Sequence, residues 1–179
     1  DLGVSTADPG SASYAAYRCD YELWDAESGI FLYLGCNLSS KVFSQAQVRV
    51  ALSYAIDRQA LLSGCYNGFG TVATLPASPK SPFYDQTLAR QVSYDPEMLR
   101  QALTEANLAG SSVRLLVNKG DSVRLQAARK VAQMLTDCGL NVEMLECNYT
   151  DYRAVLRDGT FDLYLGQTKL SPNMDLSGF

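Results

Sequence analysis

The second half of the chain alternates strand-like and helix-like segments, and this order constrains its fold more than any other feature. Three apolar runs, at 113–118, 140–147 and 161–166, have the length of buried strands. Two helix-like segments, at 121–138 and 150–158, separate them. Strands that alternate with helices favour a layered arrangement in which helices pack on a sheet. We therefore predict an α/β (α+β) fold, with helices packed on a mixed sheet.

The first half is expected to add two strands and a long helix. Residues 17–23 alternate between apolar and polar side chains, a polar turn follows, and 30–38 is mostly apolar. These two segments predict a hairpin or two consecutive strands. Ser44 and Gln47 have the spacing of a capping box, which predicts that a helix begins there and covers 45–63.

A long connection and a further helix follow. Gly64 is placed to end the first helix, and 64–94 is interrupted by Gly and Pro without a sustained period, which indicates a partly extended loop. Asp95 before Pro96 combines an N-cap residue with proline at the first helical position. This pair predicts a helix that ends before Gly110.

Composition and charge exclude several classes of function. The chain has no histidine, which removes Ser-His-Asp and Cys-His catalysis and every histidine metal site. Its 19 acidic and 15 basic residues give a net charge of -4, whereas a nucleic-acid surface needs a basic excess. The five cysteines are Cys19, Cys36, Cys65, Cys138 and Cys147. They contain no C-x-x-C pair, so we predict small buried residues, with one incidental disulfide left open.

The length of the chain, 179 residues, suffices for one hydrophobic core. The chain begins with Asp1 rather than Met, and it has no signal-peptide pattern and no apolar run of 18 residues. We interpret 1–16 as a polar N-terminal segment at the start of an excised piece. The remainder, 17–179, is expected to be one domain that is cut before its fold returns.

Several motifs occur in an order that matches a known family. The segment VFSQAQVRVALSYAIDR at 42–58 resembles a helix with the pattern VRxALxxAIDR. Asn37 follows an aromatic strand, and 68–79 resembles a GxGTPA…P loop. The segment 113–118 is similar to an LxLLVN strand, and 149–165 to the pattern YxxxLxxGxFDLxL. Together these motifs resemble the family 5 extracellular solute-binding proteins, the dipeptide and oligopeptide receptors of ABC importers.

The resemblance covers 17–179. It implies that this segment is the second lobe of a two-lobed clamshell of the periplasmic-binding-protein type. The larger N-terminal lobe and the final return strands would not be included. Such a lobe is not an enzyme, needs no cofactor or metal, and closes on its ligand by hinge motion. The implied partners are a peptide and the membrane permease of an ABC importer. The implied state is an extracytoplasmic monomer, either a cell-surface lipoprotein or periplasmic. Two alternatives stay open: the same fold recognising another small solute, such as a metallophore or an oligosaccharide, or a sensor domain.

Five residues are the candidate ligand contacts. Gly166, Gln167, Thr168 and Lys169 lie just past the last apolar run. A flat backbone that leaves the edge of a sheet exposes N–H and C=O groups, to which an extended peptide can add as a strand. Asn37, which the resemblance places after the aromatic strand, is the fifth candidate.

The side chains of this segment differ from those of the resembled receptors. There, an aromatic residue is often followed by an Asp that pairs with the peptide ammonium. Gln167 and Leu170 stand at those positions in this chain. Lys169 could instead attract a carboxylate or another anionic group by a charge-assisted hydrogen bond. The alternative interpretation is that Lys169 is a solvated surface lysine.

Overall fold

The computed structural model describes residues 17, 29–77, 82 and 84–170. The polar segment 1–16 lies outside these residues, and so does the predicted strand 17–23 apart from Tyr17. Tyr17 itself has helical backbone and is exposed. The predicted strand therefore does not begin at Tyr17.

Four strands and six helices occupy the described residues, and the strands form one mixed sheet. In chain order the elements are β1 (Ile30–Cys36), α1 (Ala46–Ala55), α2 (Arg58–Tyr66), α3 (Gln86–Gln91), α4 (Pro96–Glu105), β2 (Ser112–Asn118), α5 (Ser122–Asp137), β3 (Asn141–Cys147), α6 (Tyr149–Asp158) and β4 (Leu163–Lys169). The strand order is β1-β4-β2-β3, with β1 antiparallel to β4 and β2 parallel to both of its neighbours. The predicted α/β fold with helices on a mixed sheet is confirmed.

Helices cover both faces of this sheet. The chain passes from β2 to its neighbour β3 through α5, and then back across β2 to β4 through α6. Right-handed crossovers in opposite directions place the two helices on opposite faces. The buried side chains agree, since Val113 and Leu115 belong to the large core with α5, whereas Leu116 packs with Tyr152 of α6 and with Phe161.

The predicted helix 45–63 is in fact two helices. Ile56 and Asp57 have extended backbone between α1 and α2. The Asp57 carboxylate accepts a hydrogen bond of 2.8 Å from Ala60 N and so caps the start of α2. Both helices contribute to the same core, so the apolar stripe runs on across the break. A stripe alone therefore does not show the interruption.

That segment begins within one residue of the predicted start, but the predicted capping box and the predicted end are wrong. The Ser44 hydroxyl donates to Lys41 O at 3.3 Å, and α1 begins two residues after Ser44 without a side-chain cap. Gly64 lies inside α2, which ends before the left-handed Asn67. The described part of 64–94 contains the end of α2 and the short α3.

The other predicted helix starts are confirmed. Asp95 accepts a hydrogen bond of 3.1 Å from Glu97 N, with Pro96 in the first turn of α4. Asp121 accepts a hydrogen bond of 2.9 Å from Arg124 N at the start of α5. These caps fix where the two helices begin, because they satisfy amide groups that have no partner inside the helix.

Candidate functional site

The predicted ligand segment, Gly166 to Lys169, forms the second half of β4. Gly166 pairs with Tyr33 of β1 and Lys169 pairs with Ile30, in an antiparallel register. The prediction that this segment leaves the sheet is therefore wrong. The backbone ladder continues where the apolar side chains end, because its bonds join main-chain groups whatever the side chains are.

Within the described residues, no strand pairs with the other side of β4 beyond its second residue. The register between β2 and β4 consists of Leu115 opposite Leu163 and Leu116 opposite Tyr164. Among the strands that the structure describes, only β1 accompanies β4 from there to Lys169. The sheet is therefore split between its two central strands at this end.

One hydrogen bond shows which residues of β4 face the split. Leu170 N donates to Gly29 O at 2.8 Å, so these two residues are a hydrogen-bonded pair of the ladder between β1 and β4. Hydrogen-bonded pairs alternate with non-bonded pairs along an antiparallel ladder. Even-numbered residues of β4 therefore direct their backbone groups to β1, and odd-numbered residues direct theirs to β2. Beyond Leu165, the residues whose N–H and C=O groups point into the split are Gln167 and Lys169.

The split lies at the end of the sheet where the three parallel strands finish. β2, β3 and β4 run in one direction, so Asn118, Cys147 and Lys169 end at the same edge. The crossover from β2 runs outward to β3, and the crossover from β3 runs back past β2 to β4, so the boundary between β2 and β4 is a topological switch point. In open α/β sheets, ligands bind in the crevice outside the carboxyl ends of the strands at such a point.

A buried arginine follows β2 in the same region. The Arg124 side chain is 10% exposed, and its Nη2 lies 3.1 Å from Asp121 Oδ2. The Nε of Arg124 is buried and has no hydrogen-bond partner within the described residues. One donor of this guanidinium is therefore left unused by the N-terminal cap of α5.

Two Tyr-Leu-Gly sequences build one face of this strand pair. Tyr33 lies opposite Gly166, and Tyr164 lies opposite Gly35. A Cβ atom built on Gly166 would lie 2.7 Å from the Tyr33 ring, and one on Gly35 would lie 2.1 Å from the Tyr164 ring. Each tyrosine thus covers the glycine opposite it. Sequence reasoning missed this arrangement, although the repeated Tyr-Leu-Gly was its signal.

Asn37 is not part of this cluster. It follows β1, which is antiparallel to β4, so it lies at the opposite end of β4 from Lys169. Its Nδ2 donates to Gly159 O at 3.0 Å and to Phe161 O at 2.8 Å. The structure therefore brings Gly166 to Lys169 together in one strand and separates Asn37 from them.

Asp162 holds the same opposite end of the sheet together. Its carboxylate accepts hydrogen bonds from Ser40 Oγ at 2.6 Å and from Arg114 N at 2.8 Å. Burial alone would raise the pKa of Asp162, but the hydrogen bonds from Ser40 and Arg114 outweigh burial and hold the pKa below its usual value. These bonds join the segment after β1 to β2 and β4, so the role of Asp162 is structural.

The described residues contain no group of three or more Cys, Asp or Glu side chains that could hold a metal ion. Their helices include none that is long and apolar enough to cross a membrane.

Comparison with known families gives one clear match. A family described as bacterial extracellular solute-binding proteins, family 5 Middle, matches residues 4–179. The chain is 27% identical over 167 residues to the di/tripeptide-binding protein 1 of Pseudomonas aeruginosa, covering 89% of this chain and 31% of that protein. It is 31% identical over 134 residues to the glutathione-binding protein GsiB of Salmonella typhi, covering 74% of this chain and 26% of that protein.

A solved structure agrees with these relatives. The oligopeptide-binding protein AppA of Bacillus subtilis, in complex with a nonapeptide, superposes with a TM-score of 0.74 at 25% identity. The match covers 92% of this chain and 36% of AppA. The chain thus spans about a quarter to a third of the length of the relatives it matches.

Proposed function

The chain belongs to the family 5 bacterial extracellular solute-binding proteins, and we propose that it is a ligand-capturing lobe of a peptide receptor for an ABC importer. In this role it binds a solute and catalyses no reaction. The observation that carries the proposal is the open backbone edge at Gln167 and Lys169, at the carboxyl ends of the parallel strands.

An extended peptide fits this edge in a definite way. The N–H groups of Gln167 and Lys169 donate to it, and the C=O groups of the same two residues accept from it. Gln167 and Lys169 are two positions apart in the strand. In an extended peptide, the backbone groups that face one side are also two positions apart, so the two sets can pair. Main-chain hydrogen bonds of this kind give affinity without requiring a particular side-chain sequence.

The edge favours peptides over the other solutes considered. A sugar has no repeating pattern of amide donors and acceptors, and a metallophore offers anionic groups rather than an extended backbone. The relatives described above are named for di/tripeptides, glutathione and a nonapeptide, whereas other matches are named for heme or were solved with mannohexaose. Recognition of another small solute, or a sensor role, remains the competing proposal.

Family membership supports the rest of the proposal. We place 17–179 in the second lobe of a clamshell that closes over its ligand by hinge motion, outside the cytoplasm, as a monomer that delivers to a membrane permease. A polar segment at 1–16 precedes this lobe. Because a clamshell buries its ligand between two surfaces, one lobe should hold a peptide no better than about millimolar.

An NMR titration of the chain with trialanine tests the proposal. Binding should shift the amide signals of Gln167 and Lys169 first, with smaller changes at Gly166 and Thr168, whose N–H groups point to β1. A tri-saccharide of similar size is the matched control and should leave these signals unchanged. Shifts confined to other parts of the chain, or none up to about 10 mM, contradict the proposal.

A further inference from the structure

The split between β2 and β4 coincides with a side-chain hydrogen bond from α6. The Tyr152 hydroxyl donates to Leu165 O at 3.2 Å, and this contact is buried. The two residues are 8% and 3% exposed, respectively. Leu165 is the first residue of β4 beyond its register with β2.

Without Tyr152, this carbonyl would have a different partner. Lys119 N donates to Cys147 O of β3 at 2.8 Å, so odd-numbered residues at the end of β2 face β3 and Asn118 faces β4. The C=O of Leu165 faces β2, because the odd-numbered residues of β4 direct their backbone groups to that strand. The next bond of the ladder would therefore join Asn118 N to Leu165 O. The corresponding register, Val117 opposite Leu165, is not formed.

We propose that Tyr152 is a positioning residue whose hydroxyl occupies the Leu165 carbonyl and keeps β2 from closing onto β4. This rests on the proposed function, because the role of the split is to leave the backbone of Gln167 and Lys169 available to a ligand. We call the Tyr152 side chain the wedge between β2 and β4. It is held in place because its ring packs with Leu116 and Phe161.

The Tyr152 hydroxyl stays protonated and so keeps its ability to donate a hydrogen bond. Burial raises the pKa of Tyr152 to about 12, so the proton stays on the oxygen at any physiological pH. α6 is anchored by Asn148, which accepts a hydrogen bond of 2.9 Å from Asp151 N as the N-cap. The position of the ring along β4 is thus set by a capped helix rather than by a loop.

Amide hydrogen exchange in Tyr152→Phe, measured by NMR, tests the wedge without a ligand. Loss of the hydroxyl leaves Leu165 O buried and unsatisfied, so Asn118 N should take it over. We expect the protection of the Asn118 amide to rise at least about tenfold. Tyr149→Phe is the matched control, because Tyr149 lies on the same helix and is 62% exposed. An Asn118 protection within about twofold of that control overturns the proposal.

The unaltered chain provides a second readout if the variant does not fold. With the wedge in place, the Asn118 amide should exchange at least about tenfold faster than the Leu116 amide, whose ladder bond to β4 is formed. Equal protection of the two amides would mean that the ladder continues, and the proposal would be wrong.

Trialanine binding separates this inference from the proposed function. If the unaltered chain does not bind trialanine, the proposed function fails, while the exchange experiment still decides the role of Tyr152. If it binds, Tyr152→Phe should weaken binding at least about fivefold relative to Tyr149→Phe. Equal affinities, together with a protected Asn118, would show that the split does not serve the ligand and would overturn the positioning role.

Discussion

Two proline substitutions at neighbouring positions of β4 should have opposite effects. Proline removes a backbone N–H and is tolerated in a strand only where that N–H does not join the ladder. Gln167 directs its N–H into the split, whereas Thr168 directs its N–H to Phe31 of β1. Gln167→Pro should therefore weaken ligand binding, and Thr168→Pro should destabilise the fold.

The expected sizes follow from one hydrogen bond in each case. Gln167→Pro removes one donor to the peptide, worth about 0.5–1.5 kcal/mol, so the dissociation constant for trialanine should rise by about 2- to 12-fold. Thr168→Pro removes a ladder bond and leaves Phe31 O without its partner, which should lower the free energy of unfolding by about 1–3 kcal/mol.

Urea unfolding and the NMR titration measure the two quantities on the same samples. Gln167→Pro should unfold at a urea concentration closer to the unaltered chain than Thr168→Pro does. The reasoning is refuted if Gln167→Pro is the less stable of the two variants. That result would mean that the Gln167 N–H, and not the Thr168 N–H, bonds to β1. Equal binding of trialanine by Gln167→Pro and the unaltered chain would remove Gln167 N–H from the ligand edge.

Four further predictions concern single positions. Asp57→Ala should lower the free energy of unfolding by about 1 kcal/mol in urea, because it removes the cap of α2. Gly166→Ala should cost about 1–3 kcal/mol in the same assay, since its Cβ would meet the Tyr33 ring at 2.7 Å. The folded state holds the pKa of Asp162 below its unfolded value, so the contribution of Asp162 to the free energy of unfolding is complete above the unfolded pKa. This contribution is lost as the pH falls through the folded pKa. Asp162→Asn should therefore make the free energy of unfolding, measured against pH, fall less steeply at acid pH. Lys169→Ala in a full-length receptor should weaken an anionic ligand by about 10- to 100-fold if the side chain pairs with it, and calorimetry that finds no change would mark Lys169 as a solvated surface residue.

The sequence predicted the fold better in its second half than in its first. Asp95 and Asp121 cap helices as expected, because a carboxylate before a helical stretch satisfies amide groups locally. The break at Asp57 was missed, because the apolar stripe that defines a helix on a core continues through it. Local chemistry is readable from a sequence, whereas an interruption that preserves the buried face is not.

The candidate segment lies inside the sheet rather than beyond its last strand, where it was predicted. Its apolar run ends at Leu165, which suggested that the strand ended there, but β1 pairs with β4 as far as Lys169. The split on the other side depends on where β2 stops pairing and on Tyr152, which comes from a helix on the opposite face to α5. Neither is encoded near Gly166, so no local pattern could have revealed them.

The short length of the open edge limits what it can do alone. Gln167 and Lys169 offer two donors and two acceptors, so a peptide gains about four hydrogen bonds. At about 1 kcal/mol each, these give about 4 kcal/mol, no more than the 4.1 kcal/mol of a millimolar complex. A receptor that holds peptides tightly therefore needs a second surface on the same ligand. The two-residue edge and the closing partner lobe therefore have complementary roles. The edge orients the peptide backbone, and burial of the peptide by the other lobe supplies most of the affinity.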